Sequence, residues 1–395
     1  MTESAAAGSD PAAAADEMRC IPRISLHEGV DIQHEYLRKN SPFFLTDAGL
    51  ETWRAWQEWR CEDGGEHPNF ARLRAIFGAA TAPITNCSSG QKITLHISEF
   101  LDVWSTSPKP PLRYLKDWHI VRDFPEYQAY RVPAPFRDDW LNDWWTKGRS
   151  AWAERNNVPH TANDYRFCYM GSAGTFTPLH HDVMLSFSWS ASIVGRKLWR
   201  FFRPCEKTKL WHVKHKEMLV SDSREGHYNP SDFPNVAAAH YVEVVQAPGE
   251  VIFVPSGWLH QVHNLDDCIS INHNWFNGSN IGLVWQYVKD KWEATEHVIA
   301  HLRDAMEAAE FAEHVSRIMS SDIGLSPEEF VGMLTFWQGQ LLARVDNEAV
   351  GRCSAQDANV ACDRNEDFDF DKARLLEVVT AVNESWTLKC PVLLS

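Results

Sequence analysis

The sequence predicts a mainly β fold with added helices: an antiparallel sandwich or barrel in the middle of the chain, a mixed α/β layer before it and helices after it. Three observations carry this expectation. Between Arg166 and about Phe276, short alternating runs recur with turn residues between them, the pattern of successive strands. Beyond Asn280 the apolar spacing becomes three and four, the period of helices. No βαβ alternation and no GxGxxG run appears, which disfavours a nucleotide-binding fold. With 395 residues, 44% of them hydrophobic, the chain suffices for one large domain with additions, or for two.

Taken in order, residues 1–20 are small, acidic and broken by proline, and are expected to form a disordered tail. Residues 21–165 mix strand-like pieces (FFLT at 43–46, APITNC at 82–87) with helical ones (ETWRAWQEWR, ISEFLDVWS). Trp104, Trp118, Trp140, Trp144 and Trp145 make this region aromatic, and packing over a sheet explains them better than a cofactor box. Residues 166–280 supply the β core: FCYMG, SFSWSASIV, a turn at Gly195-Arg196, KLWRFF, YVEVVQ, a turn at Pro248-Gly249, EVIFV, a PSG turn, LHQVHNL and CISINHNW. Residues 281–395 read as helical. Ser326-Pro327-Glu328-Glu329 marks a helix start with Ser as N-cap and Glu329 reaching back, and ARLLEVVTAV marks a last helix. The polar, acidic stretch at about 346–370 reads as a solvated linker.

Net charge and cysteine usage narrow the function classes. At -15 the chain has no general attraction for nucleic acid or an anionic membrane, and a basic partner is easier to accommodate. Its 9 cysteines are scattered without a CxxC pair, which argues against a zinc module or a disulfide framework and for free thiols in a reducing compartment. The N-terminal tail has neither the apolar core of a secretory signal nor the arginines of a presequence. No run reaches the ~18 apolar residues of a membrane span. The cytosol or the nucleus is the expected compartment.

Chemistry concentrates in TPLHHDVMLSFSWS at 177–190. Side chains alternate along a strand, so His180 and Asp182 are expected to share one face and His181 to take the other. Two imidazoles and one carboxylate on one side of an iron(II) ion leave three positions open, which a metal that must bind both a cosubstrate and oxygen requires. The distant histidine should come from a strand returning to the same barrel mouth. PSGWLHQVHN at 255–264 offers His260 and His263, which face opposite ways, and alternation leaves the choice between them open. Lys197, alternating with Trp199 and Phe201, would be costly on an inward face unless it met an anion such as a dicarboxylate cosubstrate. Thr177 is a hydroxyl donor on the approach to the same place.

These residues in this order (HxD, then Gly-Arg-Lys with its lysine seventeen positions after His180, then FVPSGWLHQVHNLDDCISINHNW) closely resemble the JmjC-domain oxygenases. The resemblance implies a double-stranded β-helix, a jelly-roll or cupin-like barrel, with Fe(II), 2-oxoglutarate and O2 as reactants. It implies His180, Asp182 and His260 as iron ligands, which settles the choice against His263. Lys197 would bind the distal carboxylate of 2-oxoglutarate, with Thr177 hydrogen-bonded to it. Asn272 stands where members carry a small hydroxylated residue near the cosubstrate, and Asn274 is expected to line the pocket. Trp189, Trp199, Trp258 and Trp275 would suit its walls or the core equally.

Within the family, YLKDWHIVRDFPEY at 114–127, DWLNDWW at 139–145, DYRFCYMGSAGTFTPLHHDV and SINHNWFNG are most similar to the branch that hydroxylates a lysyl side chain of the eukaryotic translation termination (release) factor. That likeness covers roughly residues 80–290 and implies C4 hydroxylation of a lysine in a cytosolic protein partner, promoting termination. The chain lacks the Cys-rich reader of a histone demethylase. N-methyl-lysine demethylation, a non-catalytic protein-binding barrel and, more remotely, a zinc hydrolase are the rival expectations.

Overall fold

The structure is a computed structural model that describes residues 20–61, 66–106, 112–159, 163–216, 218–349 and 358–386. The tail expected at 1–20 lies, apart from Cys20, outside the described residues. Thirteen strands are described: β1 Arg23–Ile24, β2 Phe43–Leu45, β3 Thr81–Asn86, β4 Lys92–His96, β5 Arg113–Trp118, β6 Arg166–Gly171, β7 Phe176–His180, β8 Phe187–Val194, β9 Lys197–Phe202, β10 Val242–Gln246, β11 Val251–Val254, β12 Leu259–Asn264 and β13 Cys268–Trp275. They form a nine-stranded sheet in the order β1-β2-β11-β8-β13-β6-β5-β3-β4 and a four-stranded sheet in the order β10-β9-β12-β7.

From β6 to β13 the chain alternates between the two sheets, stepping across for every strand except the β9–β10 pair. The result is two facing antiparallel sheets of four strands, β11-β8-β13-β6 and β10-β9-β12-β7, which is the double-stranded β-helix. The N-terminal region extends the larger sheet at both ends: β2 pairs with β11 and β5 with β6. The expected boundary at 165/166 therefore divides one continuous sheet, because the earlier strands bury their backbone groups on the barrel's own edges.

The two faces of the larger sheet differ sharply. On β8, Trp189, Ala191 and Ile193 point outward into a core built with Trp53, Phe136, Phe253 and Trp275. Ser188, Ser190 and Ser192 alternate with them, and such short side chains leave space between the sheets. The C-terminal helices form a second core, around Trp285, Trp292 and Trp337, which they share with Trp140 and Trp144 of the N-terminal region and with Met184.

Three expectations change. The helical reading that begins at 281 is interrupted by a tighter segment: Ile281–Val298, a 3-10 segment Ala300–Ala305 and Ala308–Ile323 follow one another. Helix Pro327–Ala349 is capped by Ser326, whose hydroxyl accepts from the Glu329 N–H at 3.1 Å. Glu329 does not reach back; it forms a buried ion pair with Arg149 at 2.6 Å, a stronger claim on a carboxylate inside the protein. The acidic stretch at 346–370 is helix over its described parts, in Pro327–Ala349 and Ala358–Trp386; near its end Asp367 pairs with Arg38 and Phe368 packs against the helical core, and 350–357 lie outside the described residues.

Candidate active site

His180 closes β7 and lies directly across from His260 on β12, with ring centroids 4.3 Å apart. Strand β7 ends there. Asp182 is not on a continuing strand but begins the turn Val183–Leu185, in which Met184 and Leu185 both take positive φ, 56° and 49°. Left-handed backbone at two side-chain-bearing residues costs on the order of 1–3 kcal/mol each, and packing has to hold it. Met184 is fully buried against the C-terminal helices and supplies that hold. The strained turn, rather than strand alternation, brings the Asp182 carboxylate to the two imidazoles: the ligand-capable atoms of His180, Asp182 and His260 all lie within 4.8 Å of one another.

Each of the three side chains is oriented by a neighbour. The Nδ1 of His180 is 2.8 Å from the Pro178 carbonyl and that of His260 is 3.2 Å from the Trp258 carbonyl. Carbonyls accept only, so both Nδ1 atoms carry hydrogen and both Nε2 lone pairs face the cluster. Ser188 donates to Asp182 Oδ2 at 2.7 Å. Burial pushes the pKa of His180 down to about 4 and that of His260 down as well, so both are neutral donors at physiological pH. The set suits a divalent metal of iron type: two neutral imidazoles and one carboxylate on one side.

The cavity beside this cluster is lined by Tyr114, Tyr169, Thr177, Ser188, Lys197, Trp199, Val262, Asn272 and Asn274. Lys197 is 2% exposed, its ammonium 3.4 Å from the Tyr114 hydroxyl, and among the described residues no carboxylate pairs with it. A buried cation so placed fits a carboxylate ligand. It stands four positions along β9 from Phe201, which faces His260. Asn272 accepts from Ser190 at 3.1 Å and Asn274 donates to Ser186 at 3.1 Å. Thr177 sits on β7 opposite Val262.

The remaining expected residues sort cleanly. His263 faces away, stacked on Phe176 and 3.0 Å from the Gln261 amide; His181 turns its Nδ1 to the Asp182 carbonyl, and its ring lies 6.1 Å from Tyr287. Of the four tryptophans offered as walls, Trp199 lines the cavity, Trp189 and Trp275 belong to the outer core, and Trp258 packs in the small cluster with Phe201. Ser188, Tyr114 and Tyr169 line the cavity without any local signal in the sequence; only the β5–β6 pairing and the serine alternation of β8 point to them.

The JmjC domain, hydroxylase model matches residues 167–275, the span of β6 to β13. The chain is 36% identical over 312 residues to "Arginine-specific demethylase JMJ20" of Arabidopsis thaliana, covering 76% of this chain and 66% of that one. It is 36% identical over 319 residues to "2-oxoglutarate and iron-dependent oxygenase JMJD4" of Danio rerio, covering 76% and 70%. To the protein of the same name in Gallus gallus it is 33% identical over 377 residues, covering 91% and 84%. With the two facing sheets, the His-Asp-His cluster and the buried lysine in one molecule, the chain belongs to the JmjC-domain family of iron- and 2-oxoglutarate-dependent oxygenases.

Proposed function

We propose that this oxygenase is a protein lysyl hydroxylase that acts at C4 of a lysine in the translation termination (release) factor, in the cytoplasm, and so promotes termination. In this reading His180, Asp182 and His260 hold iron(II). Lys197 and Thr177 take the distal carboxylate of 2-oxoglutarate, and Asn272 borders the cosubstrate. The observation that carries the assignment of the pocket is Lys197: a buried ammonium without a carboxylate partner among the described residues, in the cavity that the three metal-binding side chains open onto.

When bound, iron and 2-oxoglutarate supply the oxidising power, coupling decarboxylation of the cosubstrate to hydroxylation of a C–H bond. The protein's own residues set the geometry. Pro178 and Trp258 keep the Nε2 atoms of His180 and His260 unprotonated and aimed inward, and Ser188 holds Asp182. Trp199 and Val262 supply apolar wall to the cavity. The likeness of the segments 114–127 and 139–145 to the release-factor hydroxylases supports the target.

The test is 2-oxoglutarate turnover to succinate by purified protein with Fe(II), with and without recombinant release factor, for wild type, His180→Ala and Asp182→Ala. Factor-stimulated succinate, a lysyl peptide carrying one added oxygen, and loss of both in the variants are expected. A wild type that turns over 2-oxoglutarate but ignores the factor removes the target. The likeness to a protein named as an arginine-specific demethylase favours a second reading, N-methyl removal, for which the same assay would release formaldehyde.

A further inference from the structure

Behind the wall of the metal cavity lies a second cavity that the metal chemistry does not use. On β13, Asn272 and Asn274 line the metal cavity, and His273 between them projects to the other side of the sheet. Its cross-strand neighbour is Arg166 of β6, and both side chains line a space of about 180 Å³ roofed by the segment 120–132. The two cavities have no lining residue in common, so a molecule in the second would bind beside 2-oxoglutarate and not in its place.

The roof is pinned from outside the cavity. The Ala55 N–H donates to the Ala129 carbonyl at 2.8 Å and Arg54 Nη1 to that of Tyr127 at 3.1 Å, while Gln128 between them takes φ 47°. Left-handed backbone at such a residue persists only where the surroundings hold it. The space is therefore preformed. An engineered apolar cavity of about 150 Å³ takes up benzene, so this one has room for a single ring with a short arm.

The lining sets the chemistry of the occupant. Val121, Phe124 and Val132 make much of the wall apolar. The Tyr130 hydroxyl and His273 Nε2 satisfy each other at 2.5 Å, and burial pushes the tyrosine pKa up and the histidine pKa down, so both are neutral. Arg166 carries the charge of the lining. Its Nε donates to Asp164 Oδ2 at 3.2 Å, a carboxylate whose other oxygen lies 2.7 Å from His119 Nδ1. Among the described residues the two terminal nitrogens of Arg166 have no hydrogen-bond partner, and its side chain is 21% exposed at the cavity. A guanidinium with that edge free presents two parallel donors, the geometry that a carboxylate matches.

We propose that this cavity is a binding site for a small carboxylic acid with an apolar body, its carboxylate on the terminal edge of Arg166 and its ring against Val121, Phe124 and Val132. The site is separate from the oxygenase reaction and does not depend on which residue the enzyme hydroxylates.

The probe is radiolabelled phenylacetate in equilibrium dialysis against the full chain, loaded under nitrogen with Mn(II) and saturating 2-oxoglutarate so that no added acid lodges on Lys197. One site per chain is expected, with Kd of about 1 mM or tighter. Phenylacetamide, of the same shape without the charge, should compete at least about 10-fold more weakly. Arg166→Gln should weaken phenylacetate by about 10- to 100-fold and bring acid and amide level. Val121→Trp, which fills the apolar wall and leaves Arg166 in place, should abolish uptake of both. Arg166→Gln also takes a partner from Asp164 and can loosen the fold, so the acid-to-amide preference of the wild type decides the carboxylate without any variant: equal competition overturns it. Wild type that takes up neither compound overturns the site, as does Val121→Trp that binds phenylacetate as the wild type does, or Arg166→Gln that keeps the preference for the acid.

Discussion

Ser188 decides more at the metal centre than its size suggests. Its hydroxyl is the side-chain donor that holds Asp182 Oδ2, at 2.7 Å, and it pins the one anionic member of the cluster while both imidazoles are held by backbone carbonyls. Ser188→Ala should weaken Fe(II) binding by about 10- to 100-fold with the fold intact, measured as the metal concentration for half-maximal succinate formation. Lys197→Met, which keeps the volume and removes the charge, should raise KM for 2-oxoglutarate far more than it changes iron affinity, since among the described residues no carboxylate meets the buried ammonium. That His180, Asp182, His260, Lys197 and Thr177 meet at one cavity was legible because each lies within a few positions of a strand end or turn that the sequence marks. Asp182 was reached for a partly wrong reason: alternation put it beside His180, whereas the positive φ angles of Met184 and Leu185 do so. Tyr114 and Tyr169 were not legible as cavity residues, because a pairing between β5 and β6 has no local signature.

At the scale of elements, the last helix shows why charge patterning misled. Its acids read as a solvated linker, yet Asp367 pairs with Arg38 at 2.5 Å, Phe370 lies under the same guanidinium at 4.0 Å, and Asp371 is 8% exposed. Gly278 makes the docking possible, since a Cβ there would sit 2.0 Å from Asp371 Oδ1. Burial, with Asp138 beside it, pushes the Asp371 pKa up to about 9. A carboxyl that keeps its proton in the fold and loses it in the unfolded chain destabilises the fold progressively as pH rises from about 4 towards 9. Asp371→Asn removes this dependence. Its stability relative to wild type should therefore grow across that range, by at most about 1.4 kcal/mol per pH unit, and vanish near pH 4. Urea midpoints measured from pH 5 to 9 check this, and a constant difference would refute it. Seven of the eight strands of the barrel, by contrast, were readable nearly to the residue, because their alternation and turn residues are local; β7 was missed, since the expected strand ran on through Asp182.

For the molecule as a whole, the helical tail and the metal centre are one packed unit. Helix Ile281–Val298 lies on the turn that carries Met184, and Trp386 seals it from behind, its ring 4.8 Å from Trp285 and 5.9 Å from Trp292. Trp386→Ala should cost about 3–5 kcal/mol in urea unfolding and also weaken iron binding. Lost stability with unchanged iron affinity would mean that the tail only covers the barrel. Sequence alone leaves open whether the helical tail dimerises or covers the barrel, since an amphipathic helix does not name the surface it packs on.

His180 and His260 stand eighty positions apart in the chain and meet only when β12 docks beside β7. During synthesis at about 5–20 residues per second, His180 and Asp182 leave the ribosome several seconds before His260, and the residues that brace their turn emerge later still. A nascent chain therefore has no complete iron site to offer. Metal capture becomes a report that the barrel has closed, and a protein interrupted at any earlier point is born without the means to consume oxygen.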